Sequence, residues 1–541
     1  MKLKELNSNQ KLRGAYYTPN DLAAKIVDFF DFKEISSILE PSCGDGVFVD
    51  AVFDRGLLNG HRVLTAIEIE SSEAKKVHCR YKDSPNISVV CDDFLKYYET
   101  NKKNAKFDLI LGNPPYIRYQ YLSSKQRVWL SKIIEENGMK PNKLINAWVC
   151  FLVACTKLLS NRGKIAFVIP AELLQVAYAE DLRFFLSNQF AKITLFTFEK
   201  LIFPDIEQEV VVFVGEKGKE EEGIRIVEMH DVNNFRNASL RSNTFIPLQH
   251  VKEKWTRYFT SPEEIKLIQI LKDDKRFKKF SEFGTINVGI TTGDNSYFSI
   301  DSSTEKKYGL TKALLPLIGR SSHAHGIYFT REDWERNKKS GKKSQLLYFP
   351  NTPYEKYPSG YKSYIQKGVD SEINNGYKCK IRDRWYIIPS VWIPDAFFLR
   401  RNNLYPKFVL NRCNAVSTDT MHRIKFNEGV NPELVLLSYY NSISFAFSEI
   451  CGRSYGGGVL EILPSEMGNI LLPVLCSFPK KKMDSILKKI DGVVRNEKNI
   501  EEALDLVDNE ILIKTLGVDA SICQQARCIW KKMQQRRLGR N

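Results

Sequence analysis

The sequence has no apolar run long enough to cross a bilayer. Its longest, such as Trp148–Ala154, fall far short of the ~20 residues a span needs. Met1–Gln10 lacks the apolar h-region of a secretory signal. None of the eleven cysteines stands in C-x-x-C spacing, and the closest pairs (150/155 and 523/528) are separated by four residues. That pattern reads as reduced thiols rather than a disulfide framework or zinc site. Of seven histidines, only His323-Ala324-His325 forms a close pair, so no metal is expected. There is no internal repeat and no long low-complexity tract. These absences leave a soluble cytoplasmic protein as the expectation.

The 541 residues are 43% hydrophobic and 27% charged, which excludes wholesale disorder. The length suggests about three units. The expected boundaries are 1–240, 241–475 and 476–541. The net charge of +16 is unevenly spread: residues 1–240 hold 32 basic and 32 acidic side chains, whereas 241–541 hold 48 and 32. A basic excess confined to one part of a chain is the footprint of a polyanion binder.

From Ile35 to Pro170 short apolar runs alternate with helical patterns. Ile35–Leu39, Val63–Ile67, Ile87–Val90, Phe107–Leu111 and Lys164–Ile169 read as buried strands. Asp45–Arg55, Ser71–Tyr81 and Asn146–Leu159 read as connecting helices. This alternation predicts a parallel sheet covered on both faces. Arg183–Phe198 and the strand Val210–Val214 continue it, and Glu216–Glu222 reads as a polar turn. Segment 235–280 is charged and helical in pattern. From Phe283 to about Pro473 the pieces are short, β-like and rich in Gly, Asn, Tyr and Trp. The remainder is helical and ends in a basic tail, Lys531–Arg540.

The first chemical cluster is Leu39-Glu40-Pro41-Ser42-Cys43-Gly44-Asp45-Gly46-Val47-Phe48. A strand ends in an acid, and a glycine turn then opens a helix at the sheet's carboxyl edge, where such folds bind ligands. It is not the G-x-G-x-x-G fingerprint, and Glu40 would repel a pyrophosphate. A cofactor carrying positive charge, such as S-adenosylmethionine, suits it better. The second strand ends at Glu68, placed to accept from ribose hydroxyls. The third ends at Asp92-Asp93-Phe94, where Asp93 is placed to accept from an adenine amino group and Phe94 to pack on the ring.

The fourth strand runs into Gly112-Asn113-Pro114-Pro115-Tyr116. Two consecutive prolines cannot extend a sheet and fix a rigid extended loop. There the Asn113 side-chain oxygen and Pro114 carbonyl converge as acceptors for an amine conjugated with its ring. Accepting both its hydrogens frees the nitrogen lone pair to attack a methyl sulfonium. Tyr116 offers an aromatic face to the base.

With Gly14-Ala15-Tyr16-Tyr17-Thr18-Pro19 ahead of these motifs, the sequence resembles the gamma-class DNA adenine-N6 methyltransferases of restriction–modification systems, the TaqI-like type. The resemblance is strong over residues 12–215 and looser afterwards. It implies a class I S-adenosylmethionine-dependent methyltransferase (Rossmann-like) α/β domain, a mixed α/β target-recognition domain and a helical C-terminus. It implies S-adenosylmethionine as cofactor and double-stranded DNA as partner, with a separate cognate restriction endonuclease. The enzyme is expected to act as a monomer, associated with the bacterial nucleoid through DNA. Tyr17, Thr18 and Glu40 would lie around the methionine part, and Pro41, Cys43, Gly44 and Gly46 of the glycine turn would also bind the cofactor. Glu68 would hold the ribose, and Asp93 and Phe94 the adenine. Asn113, Pro114, Pro115 and Tyr116 would form the catalytic loop. Phe203, in Leu201-Ile202-Phe203-Pro204, would stack on the flipped base opposite Tyr116. Glu70 and Cys43 depart modestly from the family's usual residues.

In the basic half, Gly289–Phe298, Arg384-Trp385-Tyr386, Asn411–His422 and Tyr455–Pro464 resemble the family's recognition domain. Arg382, Arg384, Arg400 and Arg401 are candidate DNA contacts or solvated surface residues. Reaching an amino group inside a duplex requires the base to leave the stack. Glutamine-amide methylation of a protein, cytosine-N4 methylation and a non-catalytic binding subunit are rivals. The early Tyr-Tyr-Thr-Pro, Asn113 in place of Ser, and the intact motifs speak against them. With motifs starting at Gly14, no N-terminal nuclease is expected.

Overall fold

The structure is a computed structural model that describes residues 17–200, 202–203, 209–219, 222–231, 244–249, 252–496 and 499–539. Residues 14–16, 201 and 204 of the expected motifs lie outside the described residues. The chain divides into two compact units, Met1–Pro262 and Glu263–Gly539.

Unit 1 is built on an eight-stranded sheet. Its strands are β1 (Ser37–Glu40), β2 (Val63–Glu68), β3 (Ile87–Cys91), β4 (Phe107–Gly112), β5 (Leu159–Pro170), β6 (Lys192–Phe198), β7 (Val210–Glu216) and β8 (Gly223–Met229). They lie in the order β3-β2-β1-β4-β5-β7-β6-β8. All neighbours are parallel except β7, which is antiparallel to β5 and β6. This is the Rossmann-like α/β order, and it reverses between β1 and β4, the switch point where such sheets leave a crevice. The strands in the middle are apolar on both faces because helices cover both. Leu109, Ile110, Ile165, Phe167 and Val212 are all fully buried.

The helices that frame the crevice start on identifiable signals. Helix α1 (Asn20–Asp28) follows Pro19, and α2 (Val47–Asp54) follows Gly46, which has φ 90°. That left-handed conformation favours glycine. The next helix, α3 (Ser71–Arg80), follows β2. The Asp93 side chain caps α4 (Phe94–Asn101) by accepting from the Leu95 N–H. Helix α5 (Ser124–Glu136), not foreseen from the sequence, starts on a capping box between Ser123 and Gln126. Helix α6 (Ala147–Leu158) is apolar all round and buried along nearly its whole length, as a helix enclosed by the core should be.

At the opposite edge of the sheet, Asp108 ties three strands together. It accepts from the Ser36 and Ser37 N–H groups at 3.1 and 3.2 Å, the Ser37 hydroxyl at 3.1 Å and the Ser160 hydroxyl at 2.9 Å.

Unit 2 holds a five-stranded sheet ordered Gly284–Val288, Met421–Phe426, Ala396–Leu399, Phe408–Asn411, Tyr328–Phe329. A four-stranded sheet runs Ser299–Ile300, Gln345–Leu347, Leu314–Ile318, Val416–Ser417. The expectation of short β pieces over 283–473 needs correction, because helices Ser302–Tyr308, Arg331–Lys339, Ser359–Asp370, Pro432–Tyr439 and Ser442–Cys451 interrupt them. Pro432–Tyr439 shows little helical periodicity in sequence, and both it and Ser442–Cys451 are largely buried in this unit. Among the described residues, no single helix is long and apolar enough to cross a membrane.

The helices after residue 476 have no unit of their own. Ala520–Leu538 packs on Ser442–Cys451 within unit 2. The supposed basic tail is therefore the end of a packed helix through Leu538. Arg537 is buried there, against Glu449 at 2.8 Å.

Candidate active site

A cavity of about 750 Å³ opens at the carboxyl ends of β1 to β4. Eleven of the fifteen expected site residues come together on its walls: Tyr17, Thr18, Glu40, Pro41, Cys43, Gly44, Glu68, Asp93 and Phe94, with Asn113 and Pro115 from the loop after β4. Gly46, Pro114, Tyr116 and Phe203 are not on the cavity wall.

The glycine turn is shaped by backbone geometry. Gly44 has φ 53°, and a Cβ placed there would stand 3.4 Å from the Tyr17 ring, which lies over the turn. A Cβ on Gly46 would meet the Val77 side chain at 3.0 Å, so α2 and α3 approach closely at that point. Cys43 N–H donates to the Ile67 carbonyl at 2.9 Å, binding the turn to β2. Glu68 reinforces this: Oε2 accepts from the Gly44 N–H and Oε1 from the Glu70 N–H, each at 2.8 Å. The residue expected to meet a ribose thus also shapes the wall.

The charge of the cavity is one-sided. Seven acidic side chains line it (Glu40, Asp45, Glu68, Glu70, Glu73, Asp92 and Asp93), and among the described residues no Lys, Arg or His does. Glu40 is 2% exposed. Burial first, then Asp45 and Asp50, push its carboxyl well above the ordinary range, opposed by the Val49 N–H. Its Oε2, and Oγ1 of Thr18, find no hydrogen-bond partner among the described residues. Buried polar atoms of this kind call for a donor from a ligand. Burial and the carboxylates of Glu73 and Asp45 also raise the Tyr17 hydroxyl. Such a wall suits a cationic ligand carrying amine and hydroxyl donors.

Asp93 is held on both oxygens, Oδ1 by the Leu95 N–H and Oδ2 by the Gln126 side-chain amide, each at 2.8 Å. Phe94 is buried and packs on Phe151 of α6, ring centroids 4.8 Å apart. Gln126 and Phe151 both line the cavity and were missed from the sequence. The Ser123-x-x-Gln126 spacing was a legible helix-start signal, but nothing in it pointed to a ligand. Phe151 is one apolar residue among many in α6.

After β4 the chain is extended. Asn113 lies half-buried on the cavity wall, and its carbonyl accepts from the Ser42 hydroxyl at 3.4 Å. Pro114 is buried, and the Tyr116 hydroxyl donates to the Val168 carbonyl of β5 at 3.0 Å. Tyr116 packs against the apolar cluster that contains Val168, Phe196, Phe198, Ile202 and Phe203. Phe203 is only 8% exposed, so the expected pair of aromatics shares one cluster beside the cavity.

In unit 2 the arginines singled out by composition are engaged locally. Arg382 donates to the Thr291 carbonyl at 3.0 Å and Arg384 to that of Thr352 at 2.6 Å. Arg400 meets Glu461 at 2.9 Å, while Arg401, 73% exposed, stands 3.6 Å from the same carboxylate. The Gly289–Phe298 segment has a structural basis too. A Cβ on Gly289 would stand 1.9 Å from the Thr418 carbonyl oxygen, and Tyr297 stacks on Tyr364 at 4.7 Å in the core.

Comparison with known proteins places both units. The family described as Eco57I restriction-modification methylase matches residues 62–203. The C-terminal domain of type II methyltransferase M.Eco57I matches residues 252–512. Type II methyltransferase M.AccI of Acinetobacter calcoaceticus is 25% identical over 530 residues, covering 92% of this chain and 93% of that protein. M.HindII of Haemophilus influenzae is 26% identical over 382 residues, covering 65% and 68%. The type IIL restriction-modification enzyme MmeI, solved in complex with DNA, shares the fold with a TM-score of 0.58 at 12% identity. That likeness covers 96% of this chain and 75% of MmeI. The resemblance to restriction–modification methyltransferases carried by the motifs therefore extends over both units.

Proposed function

We propose that this relative of the type II restriction–modification methyltransferases transfers a methyl group from S-adenosylmethionine to the N6 amino group of an adenine in double-stranded DNA. The observation that carries this reading is the meeting, on one cavity, of a wall whose charged side chains among the described residues are all acidic with Asn113 and Pro115 of the Asn113-Pro114-Pro115-Tyr116 loop.

When bound, S-adenosylmethionine supplies an electrophilic methyl group on a sulfonium centre. Glu40 and Thr18 bring buried acceptors to its cationic part, Glu68 takes the ribose hydroxyls, and Asp93 takes the adenine amine. The rigid loop holds the Asn113 side-chain oxygen and the Pro114 carbonyl as acceptors for the two hydrogens of the target amine. Accepting both removes conjugation with the ring and leaves the nitrogen lone pair free to attack. The proton is shed after transfer, so no covalent enzyme intermediate is needed. Tyr116 and Phe203 provide faces for a base that has left the helix stack. The basic excess of residues 241–541 neutralises DNA phosphates. The enzyme works as a monomer in the bacterial cytoplasm, on nucleoid DNA, and protects sites that a separate cognate endonuclease would cut.

The test is direct. Purified protein and S-adenosylmethionine are incubated with a plasmid library, and modified positions are read by long-read sequencing. N6-methyladenine within one short recurring sequence is expected, abolished by Asn113→Ala. Methylation on cytosine, or none on DNA, overturns the reading.

A further inference from the structure

Gln126 belongs to none of the motifs, yet it stands on the cavity wall beside Asp93. Its amide is committed at both ends. Oε1 accepts from the Ser123 N–H at 3.0 Å, closing the capping box that starts α5, and Nε2 donates to Asp93 Oδ2 at 2.8 Å. The other Asp93 oxygen accepts from the Leu95 N–H at 2.8 Å and starts α4. One side chain thus ties the first turns of two helices through a single carboxylate.

This arrangement admits no flip. An amide oxygen cannot face a carboxylate at hydrogen-bond distance, and an amide nitrogen cannot accept from the Ser123 N–H. The carboxylate is therefore fixed in position, and Oδ2 keeps one lone pair beyond the one that Gln126 occupies. It can serve a ligand only as an acceptor.

Resting on the S-adenosylmethionine reading above, we propose that Gln126 is a positioning residue that makes Asp93 selective for the exocyclic amine of the cofactor's purine. A purine bearing a carbonyl in place of that amine would set oxygen against oxygen. Gln126 prevents Asp93 from turning away to relieve the clash.

The full-length protein is titrated calorimetrically with S-adenosylhomocysteine and with its 6-oxo counterpart, S-inosylhomocysteine. The wild type should prefer the amine by about 10- to 100-fold, the range expected for one hydrogen bond to a charged group. In Gln126→Ala that preference should fall by about tenfold. Gln126→Glu keeps an oxygen for the Ser123 N–H but removes the donor facing Asp93. At pH 8 it should lose as much preference while α5 stays capped, as its thermal melt will report.

Equal weakening of both ligands would mark Gln126 as merely structural and overturn the proposal, as would a wild-type preference in Gln126→Glu. A wild-type protein that binds neither ligand would instead overturn the cofactor reading beneath it.

Discussion

Glu68 Oε2 accepts a hydrogen bond from the Gly44 N–H at 2.8 Å, joining the end of β2 to the glycine turn after β1. Because the second oxygen takes the Glu70 N–H, the carboxylate organises the cavity wall before any ligand arrives. Glu68→Gln can accept through only one oxygen and must turn a donor toward one of these N–H groups. Hydrogen bonds to a charged group are worth about 1.5–3 kcal/mol. The ligand-free variant should therefore melt several degrees lower, and S-adenosylhomocysteine should bind about tenfold or more weakly. A role confined to the ribose would leave the ligand-free melt unchanged.

Glu40 adds a proton to the binding equilibrium. Burial and the neighbouring Asp45 and Asp50 raise its carboxyl far above the ordinary range, so it carries a proton to higher pH than an exposed glutamate. A cation bound beside it stabilises the charged form and lowers that pKa. Binding of S-adenosylmethionine should then release protons, and its affinity should rise with pH across that window. Calorimetry in buffers of different ionisation heat measures the release directly. Glu40→Gln should abolish it, and neutral S-adenosylhomocysteine should show a smaller effect.

Asp108 makes the opposite prediction, for stability. Burial alone would raise its pKa, but the hydrogen bonds from Ser36, Ser160 and Ser37 outweigh it and hold the carboxyl below the usual range. A group with a depressed folded pKa adds stability above its unfolded pKa, near 3.9, that is lost as pH falls through the folded value. Asp108→Asn should lower the melting temperature at neutral pH. The gap from wild type should narrow progressively below about pH 4. A gap independent of pH would show that the carboxylate charge contributes nothing.

Much of unit 1 was legible because several site residues sit at strand ends, where an apolar run stops at an acid, a glycine or a proline. Glu40, Glu68, Asp93 and Asn113 are punctuation of that kind, and the parallel order carries them to one edge. The contacts that complete the wall were not legible in the same way. Gln126 reaches Asp93 from a helix whose own periodicity is weak, and Phe151 is hidden in an apolar helix. In unit 2 composition misled in one respect. Arginines counted as free charge include Arg382, Arg384 and Arg537, whose guanidiniums are held by carbonyls or a carboxylate. Charge counts by residue type, whereas availability depends on the fold.

The uneven charge still predicts a measurable difference between ligands. If residues 241–541 neutralise DNA phosphates, the logarithm of DNA affinity should fall linearly with the logarithm of salt, with a slope of about −0.9 per phosphate contacted. Cofactor affinity, measured in the same buffers, should change far less. Arg401→Ala, at an exposed guanidinium, should weaken binding to all sequences and flatten the slope by about one if it meets a phosphate. An unchanged slope removes Arg401 from the interface.

The final prediction concerns the C-terminal helix. Glu449 and Arg537 are 3% and 1% exposed and meet at 2.8 Å, with Arg537 also donating to the Asn403 and Gly458 carbonyls. Removing one partner strands a buried charge, a loss of about 3–5 kcal/mol in such pairs. Glu449→Ala and Arg537→Ala should each lower unit 2's unfolding temperature sharply, while the double variant should cost much less than the sum of the two. Arg537→Lys should be nearly as damaging as alanine, since an ammonium on a shorter reach cannot serve the carboxylate and two carbonyls together. If Arg537 instead acted on DNA, its alanine variant would melt like wild type and lose DNA affinity, the reverse of what this burial dictates.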